Sequence, residues 1–353
     1  MKATRGVIAD RIELAILDRF PDALLGVAAR ELDEHLTGPT LFRIPGRQGA
    51  PLFVSVLLHG NEDTGWQAVQ HVLAHYRDRT PPRPLILFVG NIAAARAGVR
   101  TLASQRDYNR TWPGTLDESA PEAQLMRQVI DIVAAAKPFA SIDIHNNTGH
   151  NPHYGCLNSL AEPFLHLARL FSRTIVYFEQ PRGVQSAALS RICPAVTVEC
   201  GRVGGEAGVA HAADFLAAAL SLSHFPEHPV PGGDIDLLQT FAIVRVPETA
   251  TFSFDAGMAD FRFREDIDRL NFAELEPGTS FGRLGPGTAD RLAVVPGTGL
   301  DTVEDYFRYE GGEIRLARPA IPAMLTRDAN AVRLDCLGYL MHRIGRDGRR
   351  IPE

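Results

Sequence analysis

His59 and Glu62 stand at the end of an apolar run, in the segment LLHGNEDTG. A His-x-x-Glu pair across a tight turn can direct an imidazole nitrogen and a carboxylate oxygen at one metal ion. Zinc takes nitrogen and oxygen ligands in a tetrahedral array, and a catalytic zinc site keeps one position for water. Taken alone the pair is weak evidence, because short motifs often match by chance.

A second histidine, His145, follows another strand-like run, in the segment DIHNNTG. In open α/β sheets, ligand sites lie beyond the carboxyl ends of the strands. A lone histidine is more often a structural residue, but His145 ends a strand-like run just as His59 does. It is therefore the expected third ligand, and the three residues together predict one Zn²⁺ per chain.

A glutamate, Glu199, lies near the end of the apolar run AVTVECG. Alternation along a strand puts Thr197 and Glu199 on one face. Burying a carboxylate is costly unless it is paired or functional, and desolvation raises the pKa of a carboxylate toward working pH. We expect Glu199 to act as a general base. The alternative is a buried glutamate paired with an arginine.

An asparagine and an arginine adjoin in the segment RDYNRTWPG. Amide donors and a guanidinium fork together suit a carboxylate. Asn109 and Arg110 are therefore predicted to hold a carboxylate of the substrate. Arg100 lies just upstream, in the segment AGVR.

Strands and helices alternate along the first 230 residues. The predicted strands are LFVSVLL, PLILFVGN, FASIDIHN, TIVYFEQ and PAVTVECG, which are rich in β-branched and apolar residues. The predicted helices are residues 64–79, 121–138, 163–173 and 208–225. This alternation is typical of a largely parallel sheet covered by helices.

The sequence pattern changes after a linker at residues 224–236 that is rich in proline, glycine and charged residues. The short runs FAIVRV, ATFSF, RLAVV, EIRLA and AVRLDC are then separated by turns and predict a β-rich second domain. We therefore predict a catalytic domain over residues 1–230 and a β-rich C-terminal domain over residues 231–353.

The composition excludes several classes of protein. The 353 residues are 45% hydrophobic and 22% charged, with a formal net charge of -6, so a disordered chain or a nucleic-acid binder is not expected. Lys2 and Lys137 are the only lysines, which disfavours Schiff-base chemistry and a phosphate-binding loop. We see no signal peptide, no stretch of about 20 apolar residues and no disulfide pattern, and predict a cytoplasmic protein without a membrane partner. The sequence does not fix the oligomeric state, and a homo-oligomer is one of the states it allows.

Four motifs, HGNE, DYNR, DIHNNTG and VECG, occur in this order. Together they resemble the succinylglutamate desuccinylase/aspartoacylase family of the zinc carboxypeptidase superfamily, over roughly residues 40 to 225 and more weakly over the β-rich tail. The resemblance implies an α/β fold of the zinc carboxypeptidase type, a mixed sheet covered by helices, with a smaller β-rich C-terminal domain. It also implies zinc-dependent hydrolysis of the amide bond of a small N-acyl amino acid or related acylated amine that bears a carboxylate.

The resemblance also implies roles for individual residues. His59, Glu62 and His145 match the zinc ligands, and Glu199 matches the catalytic glutamate. The positions that match substrate-binding residues are Asn109, Arg110 and Asn146. Asp107 matches an aspartate that hydrogen-bonds a zinc-bound histidine.

Two assignments within the resemblance stay open. Arg100 matches the arginine that polarises the scissile carbonyl, but the stretch from Arg100 to Asn109 is longer than the usual spacing, so Arg106 is an alternative. Either Tyr306 or Tyr309 could match the late tyrosine that closes over substrate.

Two other functions are also considered. A carboxypeptidase acting on peptide C-termini is disfavoured, because the gap from Glu62 to His145 is shorter than in the digestive carboxypeptidases. A zinc-binding pseudoenzyme is disfavoured because all the proposed ligands and the glutamate are present together. His71 and His75, and the thiols of Cys193 and Cys200, are not expected to form sites of their own.

Overall fold

The computed structural model describes residues 11–255, 257–296 and 303–351. The chain divides into two compact units that each combine several segments. The first unit comprises Met1–His145, Pro181–Val198 and Val209–Glu227. The second comprises Asn146–Gln180, Glu199–Gly208 and His228–Glu353.

Strands and helices alternate through residue 221, as predicted. The strands are β1 (Ala15–Leu17), β2 (Thr40–Ile44), β3 (Leu52–Val56), β4 (Leu85–Val89), β5 (Ala140–Asn147), β6 (Tyr154–Leu157), β7 (Thr174–Tyr177), β8 (Ala195–Arg202), β9 (Asp236–Arg245), β10 (Phe252–Ser253), β11 (Phe261–Phe263), β12 (Ser280–Leu284), β13 (Ala293–Pro296), β14 (Phe307–Glu310), β15 (Glu313–Leu316), β16 (Ile321–Ala323) and β17 (Gly338–Arg343). The α-helices are α1 (Thr64–His75), α2 (Ile92–Ala97), α3 (Pro121–Ala135), α4 (Glu162–Phe171), α5 (Gln185–Leu189), α6 (Glu206–Ser221) and α7 (Ala329–Leu334).

The first unit is built on a mixed sheet with the strand order β1-β2-β4-β3-β5-β8. Strand β3 pairs in parallel with both β4 and β5, whereas β2 runs antiparallel to β4. Every residue of β3 and β4 is buried, as expected for strands covered on both faces. The carboxyl ends of the adjacent strands β3 and β5 are therefore the places where polar side chains of this unit can meet.

Helix α1 starts at Thr64 as predicted but ends at His75, four residues before the predicted end. Its buried positions stop at Leu73, and both Ala74 and His75 are exposed. Most of a helix's stability comes from packing of an apolar face, so the exposed residues that follow do not extend it.

The second unit contains two sheets. One has the order β6-β7-β9-β17-β16, with β13 paired to β9, and the other has the order β10-β11-β12-β15-β14. Aromatic rings fill much of the core, including Phe261, Phe281 and Phe307, and Ile314 packs with them. The predicted β-rich region is confirmed.

One expectation differs from the structure. The run AVRLDC, predicted as a strand, lies largely in helix α7, because the Asp328 side chain accepts hydrogen bonds from the main-chain N–H groups of Asn330 and Ala331 and so caps a helix there. The two compact units group residues 146–180 and 199–208 with the C-terminal residues, and the predicted domain boundary at residue 230 stays a prediction.

Candidate metal centre

A sharp turn after β3 presents His59. Leu57 adopts a left-handed conformation with φ of 55°, an unfavourable backbone state for a residue other than glycine, held here by a hydrogen bond from the Asn91 N–H to the Leu57 carbonyl. Gly60 follows, and a Cβ there would lie 2.2 Å from the main chain of Ala94 in helix α2. Only glycine fits this turn, which sets His59 and Glu62 at the carboxyl end of a buried strand.

The three predicted metal ligands converge. His59 Nδ1 lies 2.8 Å from Glu62 Oε1, and His145 Nδ1 lies 2.7 Å from Glu62 Oε2. The two Nδ1 atoms are 3.2 Å apart. All three side chains are buried, and among the described residues they form the one group of His, Cys, Asp or Glu able to share a metal ion.

The far nitrogen of each imidazole faces a carboxylate. His59 Nε2 is 3.1 Å from Asp107 Oδ1, and His145 Nε2 is 2.8 Å from Asp143 Oδ2. Each imidazole thus has a carboxylate beside both of its nitrogens, since Glu62 contacts the two Nδ1 atoms. In the tautomer whose Nε2–H donates to Asp107 or Asp143, the Nδ1 atom has a lone pair for a metal ion. In that tautomer the two Nδ1 atoms and the Glu62 carboxylate would all offer lone pairs to one bound cation.

Burial and neighbouring charges shift the pKa values of this cluster in opposite directions. Burial opposes ionisation of Glu62, yet the neighbouring imidazoles of His59 and His145 hold the pKa of Glu62 well below its usual range. Burial likewise favours neutral His145, yet Asp143 and Glu62 raise the pKa of His145 well above its usual range. The carboxylates thus create a negative potential that attracts a cation.

Arg100 lies at this cluster and Arg106 does not. The Arg100 guanidinium donates from Nε and Nη2 to Asp107 Oδ2, at 3.0 and 2.9 Å, and its Nη1 is 3.8 Å from Glu62 Oε1. Despite burial, Arg100 and His59 hold the pKa of Asp107 well below its usual range. Arg106 instead forms an exposed ion pair with Asp117.

Asn109 and Arg110 occupy a short 3₁₀ turn, residues 108–110. Asn109 is buried, whereas Arg110 is partly exposed and its Nη1 donates to the Asn109 carbonyl at 2.8 Å. The turn packs closely on residues 183–185, where a Cβ on Gly183 would lie 2.3 Å from the Arg110 carbonyl oxygen. Arg110 is thus the member of the pair with a solvent-facing surface.

Glu199 and Asn146 belong to the second unit. Glu199 is buried in strand β8, and together with burial its charge raises the pKa of both Tyr154 and Cys156. The Asn146 amide donates to the Gly201 carbonyl at 3.0 Å. Their predicted roles therefore stay predictions.

Tyr306 and Tyr309 both lie in the second unit. Tyr306 is buried and stacks on Phe241, with ring centroids 6.0 Å apart. The Tyr309 hydroxyl accepts a hydrogen bond from the Leu292 N–H at 2.9 Å. Both tyrosines thus contact other residues of the second unit.

Four residues that were not expected to form sites are exposed histidines and buried thiols. His71 and His75 are exposed on α1. Cys193 and Cys200 are buried and form no disulfide, and burial raises the pKa of Cys193 to about 12. A thiol with so high a pKa is a poor nucleophile.

The sequence analysis missed three residues behind the ligands. Asp143 faces His145, the Ser55 hydroxyl donates to Asp143 at 2.6 Å, and the Gln185 N–H donates to the Asn109 side chain at 2.9 Å. A signal existed for Asp143, because residues two apart in a strand share a face. No comparable signal pointed to Ser55 or Gln185.

No helix within the described residues is long and apolar enough to cross a membrane.

Comparisons with known proteins extend this description. A family model described as the succinylglutamate desuccinylase/aspartoacylase catalytic domain matches residues 48–225, just over half of the chain. A search among curated proteins gives no match.

Several solved structures share the fold. Succinylglutamate desuccinylase from Vibrio parahaemolyticus aligns with a TM-score of 0.57 at 13% identity, over 87% of this chain and 86% of that chain. Murine aminoacylase 3 aligns with a TM-score of 0.53 at 16% identity, over 85% of this chain and 97% of that chain. Succinylglutamate desuccinylase from Chromobacterium violaceum aligns with a TM-score of 0.53 at 16% identity, over 84% of this chain and 86% of that chain.

These likenesses confirm the expected fold class, and the matched span includes the three clustered ligands and the DYNR and VECG motifs. The chain belongs to the succinylglutamate desuccinylase/aspartoacylase family.

Proposed function

We propose that this protein is a zinc-dependent amidohydrolase that cleaves a small N-acyl amino acid or a related acylated amine. Family membership suggests hydrolysis of N-acyl amino acids. The observation that carries the proposal is the convergence of His59, Glu62 and His145 on one point, with all ligand atoms within 4.8 Å of one another.

The donor set suits zinc. Two imidazole nitrogens and a carboxylate make up a three-ligand set of the kind found in catalytic zinc sites, which leave a further position open. A zinc ion held by these side chains would supply Lewis-acid chemistry to a carbonyl group and to water. The carboxylates on the far side of each imidazole, Asp107 and Asp143, keep the rings in the tautomer that ligation needs.

Glu199 is the proposed general base. It would take a proton from the attacking water and later deliver a proton to the leaving amine. Support comes from the VECG motif and from the burial of this carboxylate in β8. A desolvated carboxylate is a stronger base than one in water.

Arg100 is proposed to stabilise the oxyanion that develops on the scissile carbonyl. Its guanidinium lies 3.8 Å from Glu62 and is held by Asp107. Arg106 is not favoured for this role, because its side chain pairs with Asp117 at an exposed position.

Arg110 is proposed as the main anchor for a carboxylate of the substrate, with Asn109 and Asn146 contributing hydrogen bonds. A guanidinium offers paired N–H donors that match the two oxygens of a carboxylate. Anchoring the substrate at this point would orient the scissile amide. A cytoplasmic location remains part of the proposal and can be tested by cell fractionation.

The test is a hydrolysis screen with zinc-loaded protein. Acetyl, succinyl and longer acyl groups would be offered on Asp, Glu, diaminobutyrate and other amines, beside peptides with free C-termini. We expect turnover of at least one N-acyl amino acid or acylated amine, and loss of turnover after chelation with recovery on zinc addition. Cleavage of peptides alone would show a carboxypeptidase, and inactivity of the zinc-loaded protein on every substrate would favour a pseudoenzyme.

A further inference from the structure

Asn109 makes hydrogen bonds through both its main chain and its side chain. Its main-chain N–H donates to Asp107 Oδ1 at 2.7 Å. Its side-chain Nδ2 lies 3.3 Å from Asp143 Oδ2, and its Oδ1 accepts from the Gln185 N–H at 2.9 Å. One residue thus contacts both carboxylates that stand behind the metal-binding imidazoles.

The orientation of the Asn109 amide is determined by Gln185. A main-chain N–H can only donate, so the atom that faces it must be the amide oxygen. Gln185 is the first residue of helix α5, whose N–H has no partner within the helix. The Asn109 NH₂ group must then face Asp143 and His145, where Nδ2 also lies 3.1 Å from His145 Nε2.

The N–H of His145 Nε2 donates to Asp143 Oδ2 at 2.8 Å, so this nitrogen cannot accept a hydrogen bond from Asn109. The Asn109 amide therefore donates to Asp143, which also accepts from the Ser55 hydroxyl at 2.6 Å. Asp143 is thereby held in place by two donors while it accepts a hydrogen bond from the imidazole. Both Ser55 and Asp143 are fully buried, so water is not available to replace either donor.

Asn109 also contacts the carboxylate that stands behind His59. Asp107 accepts from the Asn109 main chain and from His59 Nε2 through the same atom, Oδ1. Its other oxygen is held by Arg100. A shift of Asn109 would therefore move the partners of both histidines together.

We propose that Asn109 is a positioning residue for the metal centre, acting through Asp107 on His59 and through Asp143 on His145, in addition to any contact with substrate. The inference rests on the proposed function only in that the metal is taken to be zinc. A residue that only binds substrate would affect KM and leave the affinity for the metal unchanged.

Asn109→Ala tests the proposal through zinc affinity, measured on metal-free protein by competition with a chromophoric chelator. The substitution removes the donor to Asp143 but keeps the main-chain N–H to Asp107. Losing the outer partner of a metal-binding histidine typically weakens metal affinity about 10- to 100-fold. We expect a loss in that range.

Asn271→Ala is the matched control. Asn271 is also buried, and its amide bonds only to the main chain, donating to the carbonyls of Asp268 and Leu325 and accepting from the Leu325 N–H. Each variant leaves one buried main-chain N–H without its partner, so both should lower the melting temperature of the metal-free protein. Only Asn109→Ala should weaken zinc binding.

Asp143→Asn is a second variant that keeps the volume and the acceptor but removes the charge behind His145. It should also lose about 10- to 100-fold in zinc affinity, and it tests the proposal if Asn109→Ala fails to fold. Wild-type affinity in either folded variant, or an equal loss in Asn271→Ala, would overturn the positioning role. Failure of the wild-type protein to bind zinc would instead reject the proposed function.

Discussion

Both compact units have an apolar core, but the first also buries the clustered ionisable side chains of the candidate metal centre. In the second unit a core of rings and aliphatic side chains, including Phe261, Phe281 and Ile314, packs between its strands. In the first unit the ends of two buried strands carry His59 and His145, enclosed with three carboxylates. Apolar burial stabilises a fold in proportion to its area, whereas a buried charge costs free energy unless it is paired. The first unit therefore contains a cluster of ionisable side chains that could bind a metal ion and that apolar packing alone does not account for.

The largest effect is expected from removing a buried histidine of the first unit. His145→Ala deletes one of three ligand groups, so most of the zinc, about one ion per chain in the wild type, should be lost together with turnover. The measurements are metal content and hydrolysis. The control is His166→Ala in the second unit, a buried histidine whose Nε2 contacts the His228 carbonyl. Full zinc occupancy in His145→Ala would reject its role as a ligand.

The next largest effect is expected from Glu199→Gln. This substitution alters a buried carboxylate of the second unit. The substitution keeps the volume but removes the base, so kcat should fall about 10²- to 10⁴-fold while zinc content and melting temperature stay near those of the wild type. The matched control is Glu122→Gln, a buried glutamate of α3 that accepts from the Arg106 N–H.

The three measurements on Glu199→Gln separate three roles. Loss of zinc would mean that Glu199 is a ligand. A loss of stability on the order of several kcal/mol would mean that it is the buried partner of an arginine. Near wild-type turnover in a stable, zinc-loaded variant is the result that contradicts the general-base proposal.

Arg110→Ala should have a smaller effect, confined to substrate binding. A hydrogen bond to a charged group contributes about 1.5 to 3 kcal/mol, so kcat/KM should fall about 10- to 100-fold, mainly through KM. Arg110→Lys should recover little, because an ammonium lacks the planar fork. Arg106→Ala is the matched control, since that arginine pairs with Asp117 at the surface. Unchanged kinetics in Arg110→Ala would remove it as the anchor.

The smallest effect is expected in the apolar core of the second unit. Ile314→Val removes one buried methyl group and should lower the free energy of unfolding by about 0.5 to 1.5 kcal/mol. Zinc affinity should stay at the wild-type value, because Ile314 belongs to the apolar core of the second unit. Denaturant unfolding and chelator competition would measure the two quantities, and a weakened zinc affinity would mean that the two interiors are energetically coupled.

Much of this arrangement could be predicted from the sequence. Strand β3 and helix α3 were predicted because their apolar spacing and flanking residues are local signals. The ligands were predicted from their places at strand ends. Helix α7 was not predicted, because its short apolar run alternates like a strand. The helix depends on the cap by Asp328.

Other features depend on contacts between distant parts of the chain. The choice of Arg100 over Arg106 follows from a hydrogen bond to Asp107, which spacing alone does not reveal. The second role of Asn109 depends on Gln185, 76 residues away. The grouping of residues 146–180 with the C-terminal residues likewise reflects packing and not composition.

His59 and His145 lie 86 residues apart in sequence and meet only because strands β3 and β5 pair in one register, with Ser55 opposite Asp143. A slip of one residue would turn Asp143 and His145 to the other face of the sheet. An unfolded chain therefore has no preformed site, and a metal ion held by this cluster binds the native state alone. By mass action each tenfold rise in free metal above the dissociation constant then adds about 1.4 kcal/mol to the free energy of unfolding. The strand register that brings the two histidines together would thus make the melting temperature of the protein depend on the supply of metal.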